Sequence, residues 1–335
     1  MKKDLTEASP SSLLSYLACP LCKGNLKNTV TNQIECLSCK AVYAVDDGIP
    51  ILLPPQLEEF KMLEAEFHTN EASEFSERNF KFSYRVSRYH EDYLTCFRDY
   101  KKGAVVLEVS GGGGLEACRL KEMGLTVIES DIAVGMVKRA RKRATDEGQD
   151  THSVFVVCDA EMIPCQDQSL DAVLIVAALH HLPSPERFIA AAKNALKPGG
   201  LLVIGFEPNR WPYFTVILML RFLKKMMHPL RNISPGETSI GDMETKGFVE
   251  ADFERFLKTE GLKKLRLQRI WYLGGFVQFA VSYINKNRPV ERMIDLPLVL
   301  QRELVAFDDF LSLIPLLRRL CWHWTLVAQL PYADN

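Results

Sequence analysis

The chain has 335 residues, of which 47% are hydrophobic and 25% charged, and its formal net charge is −1. This balance is that of an ordinary globular protein, and it excludes a disordered chain or a strongly basic nucleic-acid binder. The longest apolar run, residues 213–220, is too short to span a bilayer, and residues 1–7 lack the apolar core of a signal peptide, so we expect a cytoplasmic protein.

Two C-x2-C pairs lie near the N-terminus. Cys19 and Cys22 form the first pair, and Cys36 and Cys39 form the second after thirteen intervening residues. Four thiolates can close a tetrahedral sulfur site of the kind that zinc prefers, and no ligand position then remains open for catalysis. The pattern therefore predicts a structural zinc site around a short β-hairpin over residues 29–35. The alternatives are reduced cysteines without metal, or a redox pair.

This N-terminal segment resembles zinc ribbons that are fused to, or act with, methyltransferases. The run from Cys19 to Gly24, the second cysteine pair, Tyr43 and the apolar stretch 47–54 carry the resemblance, which covers about residues 17–54. It implies a protein partner for the ribbon as one option.

Residues 56–100 are predicted to form a helical segment between the ribbon and the rest of the chain. Residues 57–68 are rich in Glu, Lys, Leu and Met, which favours a helix. Aromatic residues then alternate with Arg85, Arg88 and His90. These rings either form a lid over a ligand or pack the helix against the core, and we favour packing.

The next hundred residues alternate between strand-like and helical patterns. Apolar strand-like runs occur at residues 105–109, 125–129, 154–157, 172–176 and 201–206, with helices such as 132–144 between most of them. A further helix is bounded by Ser184 as a candidate cap, Pro185 in its first turn, and the glycines at 199 and 200. This alternation predicts an α/β fold with a doubly wound, mostly parallel sheet.

A glycine turn follows the first of these strands. Four consecutive glycines, Gly111 to Gly114, end the run that closes with Glu108 and Val109, and a helical stretch begins at Leu115. A strand, a glycine turn and a helix N-terminus together suit a nucleotide-like ligand. The spacing from Gly112 to Ala117 also satisfies the weak G-x-G-x-x-A pattern of nicotinamide-binding proteins.

The surrounding motifs resemble those of class I S-adenosylmethionine (SAM)-dependent methyltransferases, of the type found in ubiquinone and menaquinone biosynthesis. The resemblance covers about residues 100–210. It rests on five motifs that occur in order: residues 107–114, 127–132, 158–164, 171–183 and 196–200. It implies a Rossmann-like sheet of seven strands and SAM as the cofactor.

The resemblance also implies a role for each cofactor-binding residue. Glu108 holds the SAM amino group, Gly112 and Gly114 line the amino-acid end and the ribose, and Asp131 accepts hydrogen bonds from both ribose hydroxyls. Asp159 faces the adenine amino group, with the Ala160 N–H near the ring. Ser110, Ile132 and Ala177 complete the implied set. Because Ser110 replaces the first glycine of the family motif, we expect a slightly different turn there.

Methyl transfer from a sulfonium needs donor and acceptor held in line, and it needs a general base only if the acceptor keeps a proton until attack. His180 and His181 follow the fourth strand of the core, where this family often meets its substrate. Either could accept a proton near neutral pH. The alternative is that they shape the loop or pack against SAM. His90 and Tyr93 are weaker candidates.

The C-terminal part is predicted to complete the sheet and to add an insertion. Residues 248–259 predict a helix, while 262–272 and 322–330 predict strands, the last one antiparallel. The insertion 273–320 contains a helical stretch at 298–313. Residues 213–227 are apolar with a basic end, which favours a helix that covers the core or a dimer interface. Contact with a membrane surface or a lipid-like acceptor is the alternative.

The sequence thus predicts a zinc ribbon over residues 1–55, a helical linker or lid over 56–100, and a SAM-dependent methyltransferase domain over 101–335. The favoured acceptor is a small or lipid-linked molecule. An enzyme that modifies ribosomal or transfer RNA is an alternative, which the near-zero charge disfavours. A second alternative is a non-catalytic scaffold with a degenerate SAM fold, which Ser110 motivates.

Overall fold

A computed structural model describes residues 14–29, 32–79, 83–212, 239–241, 246–285, 288–289 and 292–332. Within these ranges, in chain order, the strands are β1 (Leu26–Asn28), β2 (Gln33–Cys36), β3 (Val42–Asp46), β4 (Ile49–Leu52), β5 (Val105–Val109), β6 (Thr126–Asp131), β7 (Ser153–Cys158), β8 (Leu170–Val176), β9 (Leu196–Pro208), β10 (Lys263–Ile270) and β11 (His323–Gln329).

Helices lie between most of these strands. They are α1 (Glu59–Asn79), α2 (Tyr84–Leu94), α3 (Leu115–Glu122), α4 (Val134–Asp146), α5 (Pro185–Ala195), α6 (Glu250–Glu260), α7 (Leu273–Asn285) and α8 (Leu298–Leu313). The sequence analysis did not anticipate α7, which occupies the first part of the predicted insertion.

The central sheet has the strand order β7-β6-β5-β8-β9-β11-β10. The first five strands are parallel, and β11 pairs antiparallel with both β9 and β10. The parallel strands are buried on both faces, which explains their continuous runs of Val, Ile and Leu. This confirms the predicted seven-stranded, mostly parallel, doubly wound α/β fold.

The ribbon is joined to this sheet through its last strand. Strand β4 pairs in parallel with β7, with Ile51 opposite Val157 and Leu52 opposite Cys158. The Ala18 N–H donates to the Pro164 carbonyl at 2.8 Å, and Lys23 Nζ donates to the Ile163 carbonyl at 2.5 Å. The ribbon therefore packs directly against the loop that follows β7.

One detail of the predicted elements differs in the structure, and another lies outside the described residues. Ser184 precedes α5, but its side chain makes no capping hydrogen bond; its N–H instead donates to Glu161 Oε1 at 2.7 Å. The apolar stretch 213–227 lies outside the described residues, so its prediction stays untested. Among the residues that are described, no helix is long and apolar enough to cross a membrane.

Candidate functional site

A cavity of about 550 Å³ lies at the carboxyl ends of the parallel strands, where the chain leaves β5 on one side and β8 on the other. Such a switch point is where open α/β sheets bind their ligands. The loops after β5, β6, β7 and β8 form its floor, and helix α1 contributes to its wall through Phe60, Lys61, Glu64 and His68.

The glycine turn carries a buried acid at its base. Glu108 is only 2% exposed, and its Oε2 has no hydrogen-bond partner among the described residues. Burial, with the nearby charges of Glu116 and Glu129, raises the pKa of Glu108 well above its ordinary value. A Cβ at Gly111 would lie 2.7 Å from this carboxyl group, so only glycine lets the backbone approach it this closely. An unsatisfied buried carboxylate is the group that an ammonium ligand would satisfy.

Ser110 adopts a left-handed conformation, with φ of +52°, which glycine adopts more readily than serine. The slightly different turn expected from this replacement stays a prediction. A left-handed non-glycine residue costs on the order of 1–2 kcal/mol. Ser110 lines the cavity, as the sequence analysis expected.

Gly114 differs from its predicted position. It is buried at the start of α3 with φ of +74°, and a Cβ there would lie 2.6 Å from Glu129 Oε2 and 3.0 Å from the Ala140 side chain. It faces the packing between α3, α4 and β6 and does not line the cavity. Gly114 is therefore required for helix packing, whereas Gly112 lines the cavity together with Gly111 and Gly113.

Asp131, the last residue of β6, points towards the glycine turn. Its Oδ2 accepts from the Gly112 N–H at 3.0 Å, and its Oδ1 accepts from the Ala133 N–H at 2.8 Å. Burial raises the pKa of Asp131 above its ordinary value, although these two N–H groups oppose the shift. The neighbouring Ile132 also lines the cavity.

Asp159 follows β7 and already has a cationic partner. Lys61 Nζ of α1 donates to Asp159 Oδ2 at 2.8 Å and to Glu161 Oε2 at 2.9 Å, and all three side chains are buried. The other Asp159 oxygen accepts from the Glu161 N–H at 2.9 Å. Ala160 lines the cavity beside them. No pattern in the sequence predicts that a lysine of helix α1 contacts this acid.

Glu207 fixes the loop that follows β8. It is fully buried at the end of β9, and it accepts the N–H groups of Ala178, Leu179 and His180 at 2.8–3.1 Å. Its Oε2 also lies 2.9 Å from His180 Nδ1. With that nitrogen on a carboxylate, a neutral His180 ring presents its lone pair at Nε2. Ala177, in the left-handed region with φ of +51°, lines the cavity ahead of this loop.

His181 contacts helix α1 instead of Glu207. Its Nδ1 lies 3.0 Å from Glu64 Oε2, and His68 Nε2 lies 3.4 Å from the same oxygen. Although burial alone would lower the pKa of His68, its contact with Glu64 raises it. All three side chains line the cavity.

His90 and Tyr93 form a second buried cluster with Glu116. His90 Nδ1 lies 2.6 Å from Glu116 Oε1 and 2.8 Å from the Tyr93 hydroxyl, which donates to the same carboxylate at 3.1 Å. His90 stacks on Phe206 with ring centroids 4.6 Å apart. Of the two, His90 lines the cavity.

The four ribbon cysteines converge as their spacing predicts. Their sulfur atoms all lie within 4.8 Å of one another, with Cys19 and Cys39 at 3.6 Å and Cys22 and Cys36 at 3.5 Å. A tetrahedral zinc site with bonds of about 2.3 Å places its sulfurs about 3.8 Å apart. The Tyr43 hydroxyl lies 3.0 Å from the Cys19 sulfur and can orient it. The donor set and its geometry fit zinc.

The fold is the Rossmann-like α/β fold that methyltransferases share. Residues 107–204 match the methyltransferase domain family, and residues 11–48 match the Trm112p-like family. The chain therefore combines a segment similar to methyltransferase domains with an N-terminal segment similar to Trm112p-like proteins.

Relatives named as methyltransferases match about two fifths of the chain. The demethylmenaquinone methyltransferase of Renibacterium salmoninarum is 30% identical over 139 residues, which are 41% of this chain and 55% of the relative. The ubiquinone/menaquinone biosynthesis C-methyltransferase of Xanthomonas oryzae pv. oryzae is 32% identical over 142 residues, or 41% of this chain and 56% of the relative. The chain thus spans little more than half the length of these relatives.

Solved structures with the same fold include phosphoethanolamine N-methyltransferase 2 of Haemonchus contortus in complex with SAM. That structure superposes with a TM-score of 0.55 at 16% identity and covers 85% of this chain and 62% of the other. The cyclase SpnF superposes with a TM-score of 0.50 at 17% identity, covering 73% of this chain and 82% of SpnF. At these identities the likeness shows the fold alone.

Proposed function

We propose that this protein transfers the methyl group of SAM to a small-molecule or lipid-linked acceptor. The observation that carries the proposal is the buried Glu108 Oε2, which has no hydrogen-bond partner among the described residues, in a cavity that Asp131 and Asp159 also border. These acids suit the ammonium, ribose and adenine groups of SAM, in that order along the strand ends.

Each predicted cofactor residue except Gly114 has a proposed role consistent with its position. Glu108 binds the SAM ammonium, and Ser110 and Gly112 line the methionyl part. Asp131 accepts from the ribose hydroxyls with the lone pairs that its two backbone contacts leave. Asp159 and Ala160 face the adenine, for which Lys61 Nζ must shift from Asp159 towards Glu161. Ile132 and Ala177 flank the cofactor.

We propose His180 as the general base if the acceptor carries a proton. Glu207 holds its Nδ1, so that Nε2 can accept the proton and the carboxylate stabilises the resulting imidazolium. His181, in the same loop, instead contacts Glu64 of α1. SAM supplies the electrophilic methyl group when it is bound, and the protein holds donor and acceptor in line.

Charge in the cavity favours a small acceptor over RNA. The lining contains five acids, one lysine, one arginine and five histidines; the acids are Glu64, Glu108, Glu116, Asp131 and Asp159. On the ribbon, Asp46 and Asp47 pair with Lys138 and Arg141 of α4, so acidic groups offset basic ones there. A polyanion would need an excess of basic groups at this mouth.

We further propose that residues 1–55 form a zinc ribbon that partners its own methyltransferase domain, with 56–100 as a covering helical segment and 101–335 as the catalytic domain. The pairing of β4 with β7 and the contacts of Ala18 and Lys23 support this arrangement. The ribbon surface that contacts residues 163–164 is then unavailable to a separate protein.

Transfer of a labelled methyl group tests the proposal. The full chain is incubated with methyl-labelled SAM and, separately, with demethylmenaquinol, small phenols and ribosomal RNA. We expect label in a small or lipid-linked acceptor from the wild-type protein, and a rate at least about tenfold lower from the Glu108→Gln variant. Label in RNA alone would replace the proposed acceptor class.

A further inference from the structure

We propose that Glu64, His68 and His181 bind a divalent transition-metal ion in the wall of the cavity, separate from the zinc of the ribbon. The ligand atoms are Glu64 Oε2, His68 Nε2 and His181 Nδ1. All three residues line the same cavity, and these atoms lie within 4.8 Å of one another.

The distances suit a small cation. Glu64 Oε2 lies 3.0 Å from His181 Nδ1 and 3.4 Å from His68 Nε2. Metal–ligand bonds of about 2.0–2.2 Å in a tetrahedral site place such atoms roughly 3.3 Å apart. The two distances to Glu64 thus lie close to this value, and the two imidazole nitrogens lie within 4.8 Å of each other.

The elements that supply the ligands hold them firmly. Glu64 and His68 are four residues apart on α1, so their side chains lie on the same face of one helix. The other Glu64 oxygen accepts from the Gly241 N–H at 2.8 Å, which directs Oε2 towards the rings. His181 stacks against His180, with ring centroids 4.3 Å apart.

The donor set defines the class of ion. Two imidazoles and one carboxylate suit zinc, cobalt or ferrous iron, while magnesium and calcium prefer oxygen ligands only. Three protein ligands leave a fourth position, as in catalytic zinc sites. That position opens to the cavity, where it would take a water molecule or an oxygen, nitrogen or sulfur atom of the acceptor. This last role rests on the proposed function; binding of the ion does not.

Cobalt titration of the full chain tests the site. The ribbon is first loaded with zinc, and Co²⁺ alone is then added while heat and visible absorption are recorded. We expect one equivalent of Co²⁺ with weak d–d bands and no thiolate charge-transfer band, because the ligands are nitrogen and oxygen. The variants Glu64→Gln, His68→Asn and His181→Asn should each bind at least about tenfold more weakly.

His152→Asn is the matched control, because His152 is an exposed histidine away from the cavity. It should bind Co²⁺ as the wild type does. His68 is partly exposed on α1, so its variant should fold even if Glu64→Gln does not. Three results would overturn the site: no Co²⁺ uptake, thiolate bands only, or Co²⁺ binding by the His68→Asn and His181→Asn variants that is as tight as in the wild type. SAM binding by the same samples reports on the proposed function independently.

Discussion

The ionisation of Glu108 should be coupled to SAM binding, which can be measured in solution. Burial keeps its pKa high in the ligand-free protein, whereas the ammonium of SAM favours the charged form. SAM binding should therefore release a proton, and affinity should rise with pH until the pH exceeds the raised pKa. Calorimetry in buffers of different ionisation enthalpy measures this release. The Glu108→Gln variant should show neither the release nor the pH dependence.

A methyl group at Gly111 should disturb the same carboxylate. The new Cβ would lie 2.7 Å from the Glu108 carboxyl group, which must then move. We expect Gly111→Ala to weaken SAM binding about tenfold or more while the protein still folds. Gly148→Ala is the control, because Gly148 has open space around it and a positive φ of +67°. It should cost about 1 kcal/mol of stability and leave SAM affinity unchanged.

Glu207 should matter for stability as well as for the reaction. Its two oxygens accept three backbone N–H groups and contact a histidine nitrogen in a fully buried place. Glu207→Gln puts an amide N–H in place of one oxygen, which leaves donors facing donors. We expect a loss of about 2–4 kcal/mol in denaturant unfolding. A change below about 0.5 kcal/mol in the free energy of unfolding would contradict the conclusion that Glu207 holds the loop after β8 in place.

Single residues show where the sequence was informative and where it was not. The positions of Glu108 and Asp131 follow from their place at the ends of apolar runs, because parallel strands end at one edge of the sheet. Gly114 was misplaced because its spacing does not reveal whether it faces a ligand or a helix. Lys61, Glu64 and Glu207 were missed because their partners are distant in sequence, which periodicity does not record. Lys61 and Glu64 line the cavity, whereas Glu207 holds the loop after β8.

At the scale of elements, the ribbon is connected to the side of the cavity that Asp159 borders. Strand β4 extends the sheet beside β7, and the ribbon contacts the loop that follows Asp159 through Lys23 and Ala18. A segment of about 50 residues depends on its metal for folding. Loss of zinc should therefore disturb the loop at 159–164 as well as the ribbon.

Zinc removal tests this connection. Chelation, or the Cys36→Ser variant, should lower the melting temperature of the whole protein and weaken SAM binding several-fold, because the support for Asp159 is lost. Tyr43→Phe removes only the hydroxyl beside Cys19, and it should have a much smaller effect on both measurements. Unchanged SAM affinity after complete zinc loss would show that the ribbon and the cavity are independent.

Helix α1 was predicted from composition, but its role was not. Composition favoured a helix over 57–68, and the structure extends it to Asn79. The sequence predicts a linker or lid here. In the structure, Lys61, Glu64 and His68 of this helix contribute polar groups to the cavity wall. Such polar residues look like a solvated helix face in the sequence, because their buried partners come from loops a hundred residues away.

At the scale of the whole molecule, the mostly parallel sheet and its one antiparallel strand, β11, were predictable from the resemblance that the ordered motifs carry. The joining of ribbon and core into one ladder of eleven described strands was not, since β4 is short and its partner β7 is distant in sequence. The acceptor also stays beyond reach of the sequence, because the fold is shared by proteins of different activities.

The charge of the molecule predicts how activity responds to salt. Five acids line the cavity against one lysine, one arginine and five histidines, and the formal net charge of the chain is −1 with histidine neutral. A small or lipid-linked acceptor should therefore be methylated at a rate that changes less than about threefold between 50 and 200 mM salt. An RNA substrate bound through several phosphates would lose roughly a thousandfold in affinity over that range.

The most direct test of the account is calorimetric titration of the purified full chain with SAM. We predict one SAM bound per chain, with affinity reduced roughly 10–100-fold in Glu108→Gln, as expected for a lost charged hydrogen bond. Absence of SAM binding by the folded wild-type protein, or equal affinity in the variant, would contradict the central claim that this cavity holds the methyl donor through Glu108.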